Sequence, residues 1–103
     1  MSENKIIDST NSNKILKAIK KKGHKVVLCH GVFDIFHFGH LKHLEEAKKF
    51  GNILIVSLTK DKFINKGPGR PVFNENLRAE LIASLAIVDY VILSNSNTAV
   101  ETI

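Results

Sequence analysis

At 103 residues the chain is read as one domain, since domains run about 100–200 residues. Its 44% apolar and 24% charged residues exclude wholesale disorder, and apolar runs such as Ile53–Val56 and Leu85–Val88 stop at four residues, against the roughly 20 that a membrane-spanning helix needs. A single cysteine excludes an intramolecular disulfide framework and suits a reducing cytoplasm, while a net charge of +5 suits an anionic partner without choosing which.

Residues 1–12 are polar, lack the apolar stretch of a signal peptide and are read as a mobile tail; the domain proper is expected over residues 13–103. From Asn13 to Lys22 a helix is expected, with Ile15, Leu16 and Ile19 on its buried stripe, three lysines at the negative end of its dipole and Gly23 as its stop. Lys25–Cys29 reads as a short buried strand and His40–Phe50 as a helix turning Leu41, Leu44 and Ala47 inward. Gly51 sits where a left-handed cap is expected. Ile53–Leu58 is a continuous apolar run, the pattern of a strand covered on both faces. The connection from Thr59 to Phe73 is longer than ordinary and contains Lys66-Gly67-Pro68-Gly69-Arg70-Pro71. Asn74 is a good N-cap for a helix on which Leu77, Leu81 and Leu85 repeat every fourth residue; Asp89–Leu93 is a third strand, and Thr98 opens a further helix.

Strands alternating with helices imply an α/β fold, a Rossmann-like three-layer sandwich around a parallel sheet with right-handed crossovers. Ligands of such sheets sit beyond the carboxyl ends of the strands. The segments after Cys29 and after Leu58 both emerge there, so the two least ordinary stretches of the sequence are expected side by side.

The first of them is His30-Gly31-Val32-Phe33-Asp34-Ile35-Phe36-His37-Phe38-Gly39-His40. Gly31 after a strand allows close approach of backbone to a ligand, and Gly39 does the same at the mouth of a helix, where free N–H groups favour phosphate. His37 and His40, three apart, point to one side, where two imidazoles can donate to phosphate oxygens as charge develops. The run His37, His40, His43, with Cys29 or His30 imagined as further ligands, also invites a zinc reading. Four ligands in a recognised pairing are normally required, no second cysteine exists, and no protein metal site is expected. His24 and His43 are read as structural histidines and Cys29 as core packing. A nucleic-acid reading rests on net charge alone, without aromatic stacking platforms.

Gly31-Val32-Phe33-Asp34 followed by His37-Phe38-Gly39-His40 directly after a strand resembles the signature of the cytidylyltransferase-like nucleotidyltransferases. The resemblance continues through Gly51–Val56, Lys66–Val72, Arg78 and Val88–Val91, and covers roughly Lys14 to Ile103. The Lys-Gly-Pro-Gly-Arg-Pro-Val stretch is most similar to the branch that adenylylates sugar 1-phosphates in heptose nucleotide synthesis for lipopolysaccharide. The resemblance implies a nucleotidyltransferase that joins a nucleoside triphosphate, ATP in this branch, to a phosphorylated sugar and releases pyrophosphate. It implies His37, His40 and Lys66 as catalytic residues. It places Gly31, Val32, Phe33, Asp34, Gly39, His40 and Arg78 at the nucleotide, and Asp34, Lys66 and Arg70 at the second substrate. Mg²⁺ is implied with the triphosphate, together with a homodimer and a fused or separate sugar kinase.

Alternatives stand beside these roles. Lys66 and Arg70 are otherwise solvated loop residues, Asp34 a turn former, and Arg78 an exposed partner for Glu75. A CTP-dependent enzyme acting on a phosphorylated alcohol such as glycerol 3-phosphate, or a nucleotide-binding module without turnover, are the rival functions. Two departures from the family pattern are visible. Val32 stands where many relatives have Thr or Cys, and the Ser/Thr-rich late segment of the family is missing, so the domain is expected to be incomplete at its C-terminal end.

Overall fold

A computed structural model describes residues 5–7, 9–33, 36–61 and 73–94. In chain order these form β1 (Ile6–Ile7), α1 (Ser9–Lys21), β2 (Val26–Gly31), α2 (Phe38–Lys48), β3 (Ile53–Thr59), α3 (Glu75–Ala83) and β4 (Tyr90–Ser94). The four strands make one parallel sheet in the order β1-β4-β3-β2.

That order dictates the layers. The steps β2-α2-β3 and β3-α3-β4 move across the sheet in one direction, so right-handed crossovers put α2 and α3 on the same face. The step from β1 to β2 runs the other way and puts α1 on the opposite face. Side chains follow the two-residue period of the strands. Leu54, Val56 and Leu58 pack with Leu44, Ala79, Ile82, Ala83, Val88 and Val91 on the α2/α3 side. Ile55 and Ile92 pack with Ile7 on the other side, against Ile15 and Leu16 of α1. Burial of β3 on both faces is the reason for its unbroken apolar run; Leu54, Ile55, Val56 and Leu58 are fully buried.

The three-layer α/β architecture and the parallel sheet agree with the sequence reading. The reading of residues 1–12 as a tail does not hold for the residues described: Ile6 pairs with Val91 and Ile7 with Ile92, and α1 begins at Ser9 rather than Asn13. Two apolar residues in a polar stretch carry no period; only pairing with a strand far along the chain makes them a strand. Gly23 takes the left-handed conformation expected of a helix stop, with φ of 85°. Gly51 does not: among the described glycines only Gly23 has a positive φ. Gly51 is required instead by close approach, because a Cβ there would lie 2.7 Å from the Lys25 carbonyl oxygen and 2.7 Å from Val27 Cγ2. The leucine repeat of α3 also faces differently from a core stripe. Leu77 and Leu81 are about half exposed, whereas Arg78, Ala79, Ile82 and Ala83 form the buried face. The further helix expected from Thr98 lies outside the described residues.

Asp89 fixes the start of β4. Its carboxylate accepts from the Leu54 N–H (2.7 Å) and from Lys48 Nζ (2.5 Å), and its own N–H donates to the Leu54 carbonyl (2.9 Å). One residue thereby ties α2 and β3 to the entry of β4.

Candidate functional site

Strands β2 and β3 end together: His30 is in register with Ser57 and Gly31 with Leu58. The segment leaving β2 is therefore beside the segment leaving β3, as the topology required. Gly31 is needed for a reason internal to the protein, since a Cβ there would lie 2.7 Å from Phe33 Cε2. The Phe33 ring folds back over the glycine and joins the core cluster with Cys29 and Leu44. Its backbone is left-handed, with φ of +50°, which costs on the order of 1–3 kcal/mol for a bulky residue and persists only where the surroundings enforce it.

The mouth of α2 carries the two histidines. His37 is the N-cap, in extended backbone. The Gly39 N–H donates to His37 Nδ1 (3.0 Å) and the His37 N–H donates to His40 Nδ1 (3.2 Å), a reciprocal cap built from imidazoles in place of the usual Ser and Glu. An Nδ1 that accepts has no proton, so each ring carries its proton on Nε2, assigned from these partners. The rings stack with centroids 3.9 Å apart and planes 28° apart. Phe33 meets His40 edge-on at 5.1 Å and Phe36 lies 5.5 Å from it. His37 is exposed and His40 partly exposed, so both remain open to a ligand. Burial lowers the affinity of His40 for a second proton, and the neighbouring His37 and His43 lower it further. The site therefore presents two neutral N–H donors at the positive end of a helix, an arrangement suited to phosphate oxygens.

Arg78 is not the exposed partner of Glu75. Its side chain is 1% exposed, and Nη2 is 2.6 Å from Asp61 Oδ1. Nη1 donates to the Val32 carbonyl (2.8 Å) and Nε to the Phe73 carbonyl (3.1 Å). Glu75 engages Asp61 differently: its carboxylate accepts the Asp61 N–H (2.9 Å), and its own N–H donates to Asp61 Oδ2 (3.2 Å). Sequence reasoning missed Asp61. The available signal was an acidic residue just past a strand end, facing across the long connection to a capped helix.

Of the expected site residues, Gly31, Val32, Phe33, Gly39, His37, His40 and Arg78 lie in or against this one region. Asp34, Lys66 and Arg70 lie outside the described residues. Among the described residues no three His, Cys, Asp or Glu side chains gather as a metal site. Cys29 packs in the α2/α3 core with its thiol pushed up by burial, whereas His30 Nδ1 lies 3.1 Å from Ser57 Oγ and Nε2 lies 3.4 Å from Thr59 Oγ1. A cavity of about 360 Å³ lined by Ile15, Ile19, Lys22, His24, Ile53 and Tyr90 sits at the opposite, amino edge of the sheet. No helix of the described residues is long and apolar enough to cross a membrane.

Comparison with known proteins agrees with this geometry. The family model described as cytidylyltransferase-like matches residues 28–102. The bifunctional protein HldE of Campylobacter jejuni subsp. doylei is 41% identical over 95 residues, which is 90% of this chain and 21% of that protein. Its namesake in Sulfurimonas denitrificans is 46% identical over 91 residues, 86% of this chain and 19% of that protein. The chain thus spans about a fifth of the length of these curated relatives. Among solved structures, the lipopolysaccharide core biosynthesis protein of Thermoplasma volcanium superposes with a TM-score of 0.69 at 38% identity, covering 77% of this chain and 65% of that one. Strand order, the histidine-capped helix mouth and a family match over most of its length lead to one conclusion: the chain belongs to the cytidylyltransferase-like family.

Proposed function

We propose that this domain is a nucleotidyltransferase that moves a nucleotidyl group from ATP to a phosphorylated sugar, releasing pyrophosphate, in the nucleotide-sugar chemistry that serves lipopolysaccharide. The observation that carries this reading is the reciprocal His37–His40 cap, which fixes two Nε2–H donors at the mouth of α2 beside the joint ends of β2 and β3. The names of the relatives and of the solved neighbour support the substrate class.

An oxygen of the acceptor phosphate attacks the α-phosphorus, and the bond from that phosphorus to the bridging oxygen of the β-phosphate breaks. No covalent bond to protein is needed, so catalysis is alignment and stabilisation of charge on the phosphoryl oxygens. His37 and His40 supply donors whose rings are already oriented by backbone N–H groups, so little reorganisation accompanies the reaction. Gly31, Val32 and Phe33 line the nucleotide side of this mouth, and Gly39 leaves space against the His37 ring. Asp34, Lys66 and Arg70 are assigned to the substrates from the family pattern. The described residues do not form a cage for Mg²⁺, so the ion would enter with the triphosphate oxygens as its ligands. The relatives are bifunctional, so a sugar kinase is the activity expected to accompany this one, in a reducing cytoplasm.

Pyrophosphate release with ATP or CTP, across sugar 1-phosphates and glycerol 3-phosphate, tests the reading. ATP with a sugar 1-phosphate is the expected pair. Preference for CTP and glycerol 3-phosphate would replace it with the alcohol-activating alternative, and nucleotide binding without pyrophosphate would leave a binding module.

A further inference from the structure

We infer that Arg78, held by Asp61, is a positioning residue that sets the backbone beneath the paired histidines and acts on turnover without touching substrate. The inference rests on the nucleotidyltransferase reading and deepens it.

The guanidinium faces protein on each side described. One Nη meets the Asp61 carboxylate at 2.6 Å, the other the Val32 carbonyl at 2.8 Å, and Nε the Phe73 carbonyl at 3.1 Å. With 1% of the side chain exposed, it offers a ligand almost no surface in this conformation. The Val32 carbonyl belongs to the peptide that joins Val32 to Phe33, and rotation of that peptide is what would let Phe33 leave its left-handed φ of +50°. Arg78 thus holds the one peptide whose flip would release the strain. Phe33 in turn meets His40 edge-on at 5.1 Å, and His40 Nδ1 closes the cap on His37. A physical path therefore runs from Asp61 through Arg78, the Val32 carbonyl and the Phe33 ring to His40. Asp61 is itself fixed by reciprocal hydrogen bonds with Glu75 across the base of the long connection. A planar guanidinium serves three acceptors in fixed directions; a lysine ammonium at the same place has no such fork.

The test compares Arg78→Lys, Asp61→Ala and Asp61→Asn with the parent chain, each checked for folding by circular dichroism. Three readouts are taken: kcat for pyrophosphate release, the ATP Kd by calorimetry without acceptor, and the ¹⁵N shifts of the His37 and His40 rings. Arg78→Lys and Asp61→Ala are expected to lower kcat roughly 10–100-fold, the scale of a small misplacement of reacting groups. The ATP Kd is expected to stay within about threefold, because binding and turnover are separable effects. The Nδ1 shift of His40 is expected to move in both, and Asp61→Asn, which keeps an acceptor oxygen, to recover most of kcat. A Kd weakened tenfold or more with kcat at saturation unchanged would mean that Arg78 grips the nucleotide, and would overturn the proposal. So would unchanged His40 shifts. If Arg78→Lys fails to fold, the Asp61 pair decides, since it leaves Arg78 in place. If the parent releases no pyrophosphate with any substrate, the enzymatic reading fails, whereas the ring shifts still decide whether Arg78 positions His40.

Discussion

Gly39→Ala separates the two things the helix mouth does. A Cβ on residue 39 would lie 2.8 Å from His37 Cε1 and 3.0 Å from its Nδ1, both too close to stand. The obstructing atoms belong to an exposed ring, so the ring swings away and the backbone stays. Stability then has two opposed terms. Replacing Gly by Ala in a helix contributes up to about 1 kcal/mol. Losing the hydrogen bond from the Gly39 N–H to the cap costs about 1 kcal/mol. The terms nearly cancel, and with about 4–8 °C per kcal/mol in a domain of this size, the melting temperature should move by less than about 5 °C. Turnover has no such compensation. The His37 Nε2–H leaves its place beside His40, and one displaced transition-state donor costs roughly 10²–10³ in kcat. Thermal melts and pyrophosphate release, run side by side, measure the two. Turnover within about threefold of the parent would show that the position of the His37 ring does not matter to the chemistry. A melting temperature lowered by about 15 °C or more would show that the contact is not relieved by the ring.

Other expectations follow from the same structure. His40→Ala should lower kcat by about 10²–10³ with a smaller change in ATP affinity; turnover left intact would remove His40 from the chemistry. Leu54→Ala, at a fully buried position in the larger core cluster, should cost about 2–5 kcal/mol in urea unfolding at an unchanged m-value, and a loss under about 1 kcal/mol would mean the sheet face repacks. Because folded His40 binds its second proton more weakly than the unfolded chain does, the unfolded state carries more protons below the ordinary histidine value of about 6.5. Stability from this group is therefore complete above about pH 6.5 and declines as pH falls through that value toward the lower folded one. Urea midpoints should drop between about pH 8 and pH 5 more in the parent than in His40→Gln, and parallel profiles would contradict it.

Much of this site could be read locally. A helix mouth is a contiguous stretch, so Gly39 and the two histidines at spacing three already imply rings on one side. The tautomers could not be read, because they depend on which Nδ1 meets which N–H. Nor could the role of Gly31, whose missing Cβ makes room for a ring two residues later rather than for a ligand. Arg78 carries the plainest lesson. A helical position between two leucines reads as surface, yet the leucines face outward and the arginine is buried, because its partners are Asp61 and a carbonyl 46 positions away.

What the sequence determined by itself was the alternation of strand and helix, the doubly buried β3 and the placement of the histidine segment at a strand's carboxyl end; all three follow from periods of two and of 3.6, which neighbouring residues set. Tertiary structure decided the rest. It recruited Ile6–Ile7 as an edge strand, gave α1 the opposite face from α2 and α3, and brought Asp61, Arg78 and Val32 together. Those are meetings between segments far apart in the chain. A buried polar group takes whichever partner the closed sheet presents to it, and no local pattern records that choice.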